Sequence, residues 1–390
     1  MTAAQPHPRT WCEVSRAALE ANVRVLRARL APGARLGVVV KSNAYGHGMV
    51  ECARVFLEGG ADWLIVNTID EATALRAAEI SAPIYVCGPV MEDEAAEVAR
   101  SGARIVLYDR GVLEAVAAQG RAEGRVVPVH LKIETGNHRQ GLPLHEAVEL
   151  ARRVSETDGV SLEGIATHFA DIEDTTDHQF AASQSEAFAA ARAALVEAGL
   201  EPPMTHAANS AATILWPHVH GDLVRVGISA YGLWPSSETY ATALQVHAHD
   251  ESGFVPRLTP AIRWCARIAQ IKDVPAGGYV GYGRTFRATH PMRIGVLPVG
   301  YHEGYDRRLS NLAHGLLAGS RVPVRGRVCM NMTMLDLTHV PLAAVGDTVT
   351  LLGPDGGETV SAEQIAGWMG SINYEVPTGI HPSVPRVIVS

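Results

Sequence analysis

The chain has 390 residues, 47% hydrophobic and 19% charged, with a formal net charge of -8. Such a length and composition suit two domains, or one large barrel with an appendage, around a sizeable core. The acidic balance and the lack of a basic run argue against a nucleic-acid partner, and no apolar stretch approaches the roughly 20 residues of a membrane span.

Residues 1–9 carry no apolar h-region, so no signal peptide is expected. Cys12, Cys52, Cys87, Cys265 and Cys329 are scattered, odd in number and without a Cys-x-x-Cys. They read as free thiols of a reducing cytoplasm.

Ser15 is placed to cap a helix over 16–30, which Pro32-Gly33 ends. The next run, 36–40, is continuous and rich in β-branched residues, the pattern of a strand buried on both faces. It ends in Lys41 and opens into the small turn Ser42-Asn43-Ala44-Tyr45-Gly46-His47-Gly48. A lysine there either snorkels out of the core or has chemistry to do, since an apolar pocket lowers the amine pKa and favours Schiff-base formation. Similar short apolar runs follow at 63–66, 84–87, 105–108, 127–133, 162–167, 204–207 and 223–226. Helical patterns lie between them, at 70–78, 93–100, 112–119, 144–156 and 176–197. Eight strand–helix units predict a (β/α)8 barrel over 1–245, with its chemistry at the C-terminal ends of the strands. The polar stretch 236–253 reads as a connection. Beyond it, strand-like runs at 261–274, 292–299, 321–334 and 348–352, and a helix at 362–369, predict a smaller, mainly β domain over 246–390. The first twelve or so residues are expected to pair with that domain.

Several polar residues fall at the predicted strand ends. Lys132-Ile133-Glu134-Thr135-Gly136-Asn137-His138-Arg139 ends one strand in a glycine turn. His168 ends the next and by itself reads as a satisfied core histidine. Asn209 or Ser210 would by default cap a helix, whose free N–H groups also suit a phosphate. Arg225 lies inside an apolar run, which is costly unless it is paired. Tyr282 stands between two glycines, as an exposed turn residue would. His218-Val219-His220 lacks a third metal ligand and reads as a loop.

The segment from Lys41 to Gly48 resembles the cofactor-lysine motif of the alanine racemases, enzymes that carry pyridoxal 5'-phosphate (PLP). The resemblance implies that Lys41 holds PLP covalently and that Tyr45 reaches its phosphate. It places Arg139 on the phenolic oxygen of PLP and near the substrate, with Lys132, as a carbamate, orienting that arginine. His168 would lie against the ring, Ser210 with Asn209 would meet the phosphate, and Arg225 would face the ring nitrogen. Gly227 and Ile228 would offer N–H groups to the phosphate. In the second domain, Tyr282 would be the second catalytic base, reaching across a homodimer interface. Pro298–Tyr305 resembles the substrate-entry segment, with Tyr301 nearest the substrate. Arg327–Met332 resembles the carboxylate-binding segment, with Met330 offering a backbone N–H. Tyr374 would hold the phosphate. Glu134, Asn137 and Asn331 depart from the family's usual Asp, Met and Asp. The implied activity is L-/D-alanine interconversion, hence D-alanine biosynthesis, by two bases on opposite faces of the substrate. A broader serine or basic amino-acid racemase is the alternative on this scaffold. A barrel-type PLP decarboxylase is disfavoured by Arg225, where that chemistry prefers a carboxylate. A PLP-binding homeostasis protein is disfavoured by the second domain. No metal ligand set is expected.

Overall fold

The structure, a computed structural model, describes residues 8–249 and 254–390. Residues 1–7, part of the segment read as lacking a signal peptide, and 250–253, part of the expected connection, lie outside the described residues. The described chain separates into two compact units. One takes Ala17–Ala44 and Met49–Thr259; the other takes the residues up to Arg16, Tyr45–Gly48 and Pro260–Ser390.

The first strand, β1 (Thr10–Ser15), belongs to the second of these units. The other unit is built on β2 (Arg35–Val39), β3 (Trp63–Val66), β4 (Ile84–Val86), β5 (Arg104–Leu107), β6 (Val127–Lys132), β7 (Val160–Ala166), β8 (Thr205–His206) and β9 (Leu223–Val226). All eight pair in parallel, in the order β8-β7-β6-β5-β4-β3-β2-β9. The seam is drawn together by two backbone hydrogen bonds: Asp222 donates to the Thr205 carbonyl and Arg225 to the Ala208 carbonyl, both at 2.9 Å. The result is a nearly closed barrel, as the repeated strand–helix pattern predicts. Its strands are mainly apolar because helices cover the outside while side chains fill the inside, with a few polar groups set among them. Leu36, Val38, Leu64, Val66, Ile84, Val86, Ile105 and Leu131 are all fully buried.

The helices start where short polar side chains satisfy the free N–H groups. Thr68 accepts from Glu71 N, and Glu71 returns the bond to the Thr68 backbone, a reciprocal cap on Ile69–Ala77. Asp109 caps Arg110–Ala122 in the simpler way.

The polar stretch expected to connect the domains is instead a helix, Ser237–His249, running through the expected boundary at 246. The unit's chain continues to Thr259. Buried Asn22 explains the later break: its amide donates to the Ala230 and Thr259 carbonyls and accepts from Thr259 N. The helix is hidden in the sequence because its apolar residues, Leu244 and Val246 among them, are largely exposed and leave no single stripe.

The second unit is mainly β. Its strands are β10 (Ile262–Arg267), β11 (Gln270–Val274), β12 (Tyr279–Val280), β13 (Phe286–Arg287), β14 (Met292–Leu297), β15 (His314–Leu317), β16 (Ser320–Pro323), β17 (Thr333–Asp336), β18 (Thr348–Asp355), β19 (Glu358–Val360) and β20 (Arg386–Val389). The largest sheet runs β16-β15-β18-β10-β1-β20, with β19 on β18. β1 lies antiparallel to β10 and parallel to β20. A three-stranded sheet, β11-β14-β17, and the hairpin β12-β13 complete the unit. The helix Ala362–Met369 forms where 362–369 predicts it, capped by Ser361.

Candidate active site

Lys41 stands two residues beyond the end of β2, with Val40 between. The turn after it is more unusual than its glycines suggest. Ser42, Asn43, Ala44 and Tyr45 all have φ between +50° and +55°. Single non-glycine residues visit this left-handed region rarely, at about 1–2 kcal/mol each, and four in succession form a short left-handed turn. The neighbourhood holds it in place. Ala44 N donates to the Val40 carbonyl at 2.9 Å and Met49 N to Asn43 Oδ1 at 3.0 Å. Ser42 N donates to Glu71 Oε1 at 2.6 Å, so the carboxylate in the cap of the Ile69–Ala77 helix also pins the residue after Lys41.

Arg225, on β9, is buried and pairs in register with Gly37 of β2, four residues before Lys41. Its guanidinium donates to the carbonyls of His206 (2.9 Å), Thr167 (2.8 Å) and Ala207 (3.1 Å). It also meets His206 Nδ1 at 2.6 Å and, more loosely, His168 Nδ1 at 3.4 Å. The cost of burying this arginine is offset by carbonyls at the ends of β7 and β8. Lys132, last residue of β6, is also buried. Burial, with Arg225 and Arg139 nearby, pushes its amine well below the usual lysine range. Burial likewise holds the His168 imidazole well below its usual range, helped by Lys132, Arg225, Arg139 and Lys41. A shallow cleft beside these groups is lined by Lys132, Glu134, Asn137, Arg139, Thr167 and His168. Glu134, where the family usually has Asp, closes the 134–139 loop by accepting from Gly136 N. Burial would raise its carboxyl, but bonds from the N–H groups of Gly136, His138 and Asn137 hold it below the usual range.

At the ends of β8 and β9, Asn209 caps the short helix Ser210–Leu215, accepting from Ala212 N at 3.0 Å. Its amide donates to Glu173 at 2.7 Å, so the Asn209 side chain is spent on the cap and its brace. Ser210 Oγ accepts from Gly227 N at 2.9 Å. The Gly227 N–H, expected in the phosphate cradle, is thus given to Ser210. The first N–H groups of the Ser210–Leu215 helix and of the Ile228–Tyr231 turn remain outside any intrahelical bond. They lie after the last two barrel strands, where such barrels commonly take phosphate.

Four basic side chains, Lys41, Lys132, Arg139 and Arg225, thus lie around His168. That set, a donor-only arginine and the cradle at 210 and 228 fit an anionic aromatic aldehyde phosphate such as PLP.

The remaining expected residues lie in the second unit. The Tyr45 and Tyr374 rings sit 6.1 Å apart, tilted by 54°. Gly46 lets the chain approach there, since a Cβ on it would stand 1.9 Å from the Pro377 carbonyl oxygen. Tyr301 and Met330 are brought side by side: Tyr301 N donates to the Cys329 carbonyl at 3.0 Å and His302 N to the Met330 carbonyl at 2.9 Å. Asn331, in place of the family's Asp, donates to Glu303 at 2.7 Å, where a second carboxylate would repel. Tyr282 is 72% exposed, between Gly281 at φ 74° and Gly283 at φ 69°.

Sequence reasoning passes over three supporting groups. Gln184, fully buried, donates to Thr135 Oγ1 and the His168 carbonyl and accepts from Ala170 N, bracing the β6 and β7 ends. Glu71 pins the Lys41 turn. His130 and His206 fill the barrel interior and face each other at 2.7 Å. Their only sequence signal is a histidine set in an apolar strand. His220, half of the His-Val-His run, bridges Ala31 N and the Thr213 carbonyl.

His130, His168 and His206 give the fold a pH dependence. Burial is the first cause that holds each imidazole below its usual range. The folded chain keeps them neutral at a pH where their unfolded counterparts take up protons. This contribution is whole above about pH 7 and is lost as pH falls through about 6.5 toward the folded values. Unfolding free energy is expected to fall by about 2–4 kcal/mol per pH unit near pH 5.5. Urea unfolding at pH 7.5, 6.5 and 5.5 checks this, and a flat profile would contradict neutral imidazoles.

Comparison with known proteins agrees with the geometry. The family model "Alanine racemase, N-terminal domain" matches residues 14–235, and "Alanine racemase, C-terminal domain" matches 261–388. An alanine racemase of Symbiobacterium thermophilum is 40% identical over 377 residues, covering 97% of this chain and 96% of that one. One from Leptospira interrogans is 37% identical over 383 residues, with the same coverage. The crystal structure of alanine racemase from D-cycloserine-producing Streptomyces lavendulae superposes with a TM-score of 0.90 at 35% identity, covering 99% of this chain and 98% of that one. With matching models over both domains and relatives aligned nearly end to end, the chain belongs to the alanine racemase family, whose members depend on PLP.

Proposed function

We propose that the chain interconverts L- and D-alanine with PLP, using one base on each face of the substrate. The observation that carries this is Arg225: a buried guanidinium, fixed by three carbonyls, beside the strand that leads into Lys41. PLP, when bound, supplies the electron sink that acidifies the substrate Cα–H. Lys41 holds the cofactor and moves a proton at Nζ on one face. Tyr282 of the partner subunit serves the other face. Arg225 only donates, so it leaves the ring nitrogen without a proton. The sink stays weak, which favours proton return over transamination or decarboxylation.

Arg139 orients the cofactor's phenolic oxygen and the substrate, and His168 lies against the ring. Ser210 and Ile228, with Gly227 and Asn209 shaping the cradle and Tyr45 and Tyr374 donating hydroxyls, hold the phosphate. Tyr301 and the Met330 N–H receive the substrate. Lys132, whose amine burial pushes well below the usual lysine range, would add carbon dioxide through its neutral form, and the resulting carbamate would face Arg139. The working form is a homodimer with shared sites, and its product supplies D-alanine biosynthesis. Five free thiols support a place in the cytoplasm. Among the described residues, no helix is long and apolar enough to cross a membrane.

Two measurements test the reading. Borohydride reduction of the PLP-loaded protein followed by peptide mass mapping should mark Lys41, and a mark on another lysine would overturn the assignment. Optical rotation of single amino acids should decay to zero from either alanine enantiomer. Release of carbon dioxide instead, or decay with serine or lysine but not alanine, would replace the proposed activity.

A further inference from the structure

Among the described residues, Arg225 is a buried cation with no carboxylate among its hydrogen-bond partners. Its counter-charge lies two rings away. Arg225 Nη1 meets His206 Nδ1 at 2.6 Å, His206 Nε2 meets His130 Nδ1 at 2.7 Å, and His130 Nε2 meets Glu163 Oε2 at 2.9 Å. Both imidazoles are buried, and Glu163 is partly open to solvent. Arg104 grips the far carboxylate in a fork, with Nε 3.0 Å from Oε2 and Nη2 3.3 Å from Oε1. The row therefore threads the barrel interior through β9, β8, β6, β7 and β5.

The two ends fix its direction. Arginine can only donate and an ionised carboxylate can only accept. Arg225 must donate to His206, His206 to His130, and His130 to Glu163. Each ring then carries its one proton on Nε2. A proton on either Nδ1 would set two N–H groups against each other at 2.6 or 2.7 Å. A doubly protonated ring is excluded on the same ground. Burial supports this, holding both imidazoles below their usual range. The carboxylate stays charged: burial would raise it, but the bonds from His130 and Arg104 outweigh that. Such a row passes no proton along, because its arginine end does not release one. It polarises instead, each bond strengthening the next. Carboxylates behind metal-bound histidines act in a comparable way, fixing tautomer and orientation from a distance.

We propose that Glu163 is a positioning residue for racemisation, fixing through His130 and His206 the tautomers that hold Arg225 as a donor toward the cofactor's ring nitrogen. The inference rests on the reading of Arg225 given above. It assigns Glu163, His130 and His206 a part that neither their distance from Lys41 nor any sequence motif suggests.

The first test reads the row directly. In full-length protein labelled with nitrogen-15 at histidine, with and without PLP, both rings should show the neutral Nε2–H pattern at pH 7. An Nδ1–H or doubly protonated form of either ring would overturn the proposal. The second test is Glu163→Gln. The amide carbonyl still accepts from His130, but the charge is gone and the amide can also turn its NH2 inward, against the direction Arg225 imposes. In the folded variant kcat should fall by about 10-fold with KM within about 2-fold, the range seen when second-layer partners are lost. A folded Glu163→Gln protein with unchanged kcat, or with a change confined to KM, would sink the idea. If that variant does not fold, the wild-type tautomers still decide. Wrong tautomers in an active racemase overturn the row alone, whereas correct tautomers in a protein that does not racemise alanine overturn the function.

Discussion

Replacing Lys41 by alanine is expected to lower racemisation by on the order of 10^4-fold or more, since one change removes both the covalent hold on PLP and a proton-moving group. The loss should be chemical rather than structural. The turn after Lys41 is held by Ser42 N on Glu71, Met49 N on Asn43 and Ala44 N on Val40, none of which uses the lysine side chain. Thermal unfolding of the apo variant should therefore match wild type to within a few degrees. The bound cofactor should absorb as a free aldehyde and wash out on dialysis. A variant that keeps its cofactor through dialysis and racemises at more than about a hundredth of the wild-type rate would place the lysine's role elsewhere.

Tyr282→Phe is expected to cost about 10^2–10^4-fold in racemisation with the cofactor still bound, the range for removing one general acid–base group. Tyr282 is 72% exposed, and the change removes one oxygen from the surface of its own unit, so the fold has little to lose. The glycines beside it explain how it is presented. At Gly281 a Cβ would stand 2.8 Å from Met334 Cε, and at Gly283 3.1 Å from Arg327 Cζ, both at positive φ. Mixing the two inactive variants tests the sharing of sites. A dimer with one Lys41→Ala chain and one Tyr282→Phe chain contains one site with both groups intact. Random re-pairing should restore about one quarter of wild-type activity. Absence of any recovery in demonstrated mixed dimers would show that each chain uses its own tyrosine, or none.

Much of this molecule is legible from its sequence, for a physical reason. A parallel barrel buries both faces of its strands, so most of β2 to β9 appear as short, mainly apolar runs ended by helix-start or turn residues. Chemistry gathers at the C-terminal ends of such strands, which is why Lys41, Lys132, His168 and Arg225 stand out as polar groups where the apolar runs stop. Other parts leave no local trace. The left-handed turn at 42–45 is built from residues that avoid that conformation when alone, and Glu71 and Asn43 hold it through longer contacts. The Ser237–His249 helix escapes because its exposed apolar residues break the expected stripe. The His206–His130–Glu163 row is invisible because three separate strands bring it together, and a lone histidine in two of them and a lone glutamate in the third read as filler. The order of motifs along the chain is legible; the hydrogen bonds that orient them are not.

β1 sits between β10 and β20, pairing Cys12 with Trp264 on one side and with Arg386 on the other. During synthesis residues 10–15 emerge hundreds of residues before residues 386–389. The largest sheet must therefore keep a gap open through most of synthesis, with an edge strand waiting unpaired, while the barrel can assemble from the ribosome onward. A fusion or trimming that disturbs residues 386–389 should then harm a strand made hundreds of residues earlier, and expression tags belong where neither neighbour of that strand is touched.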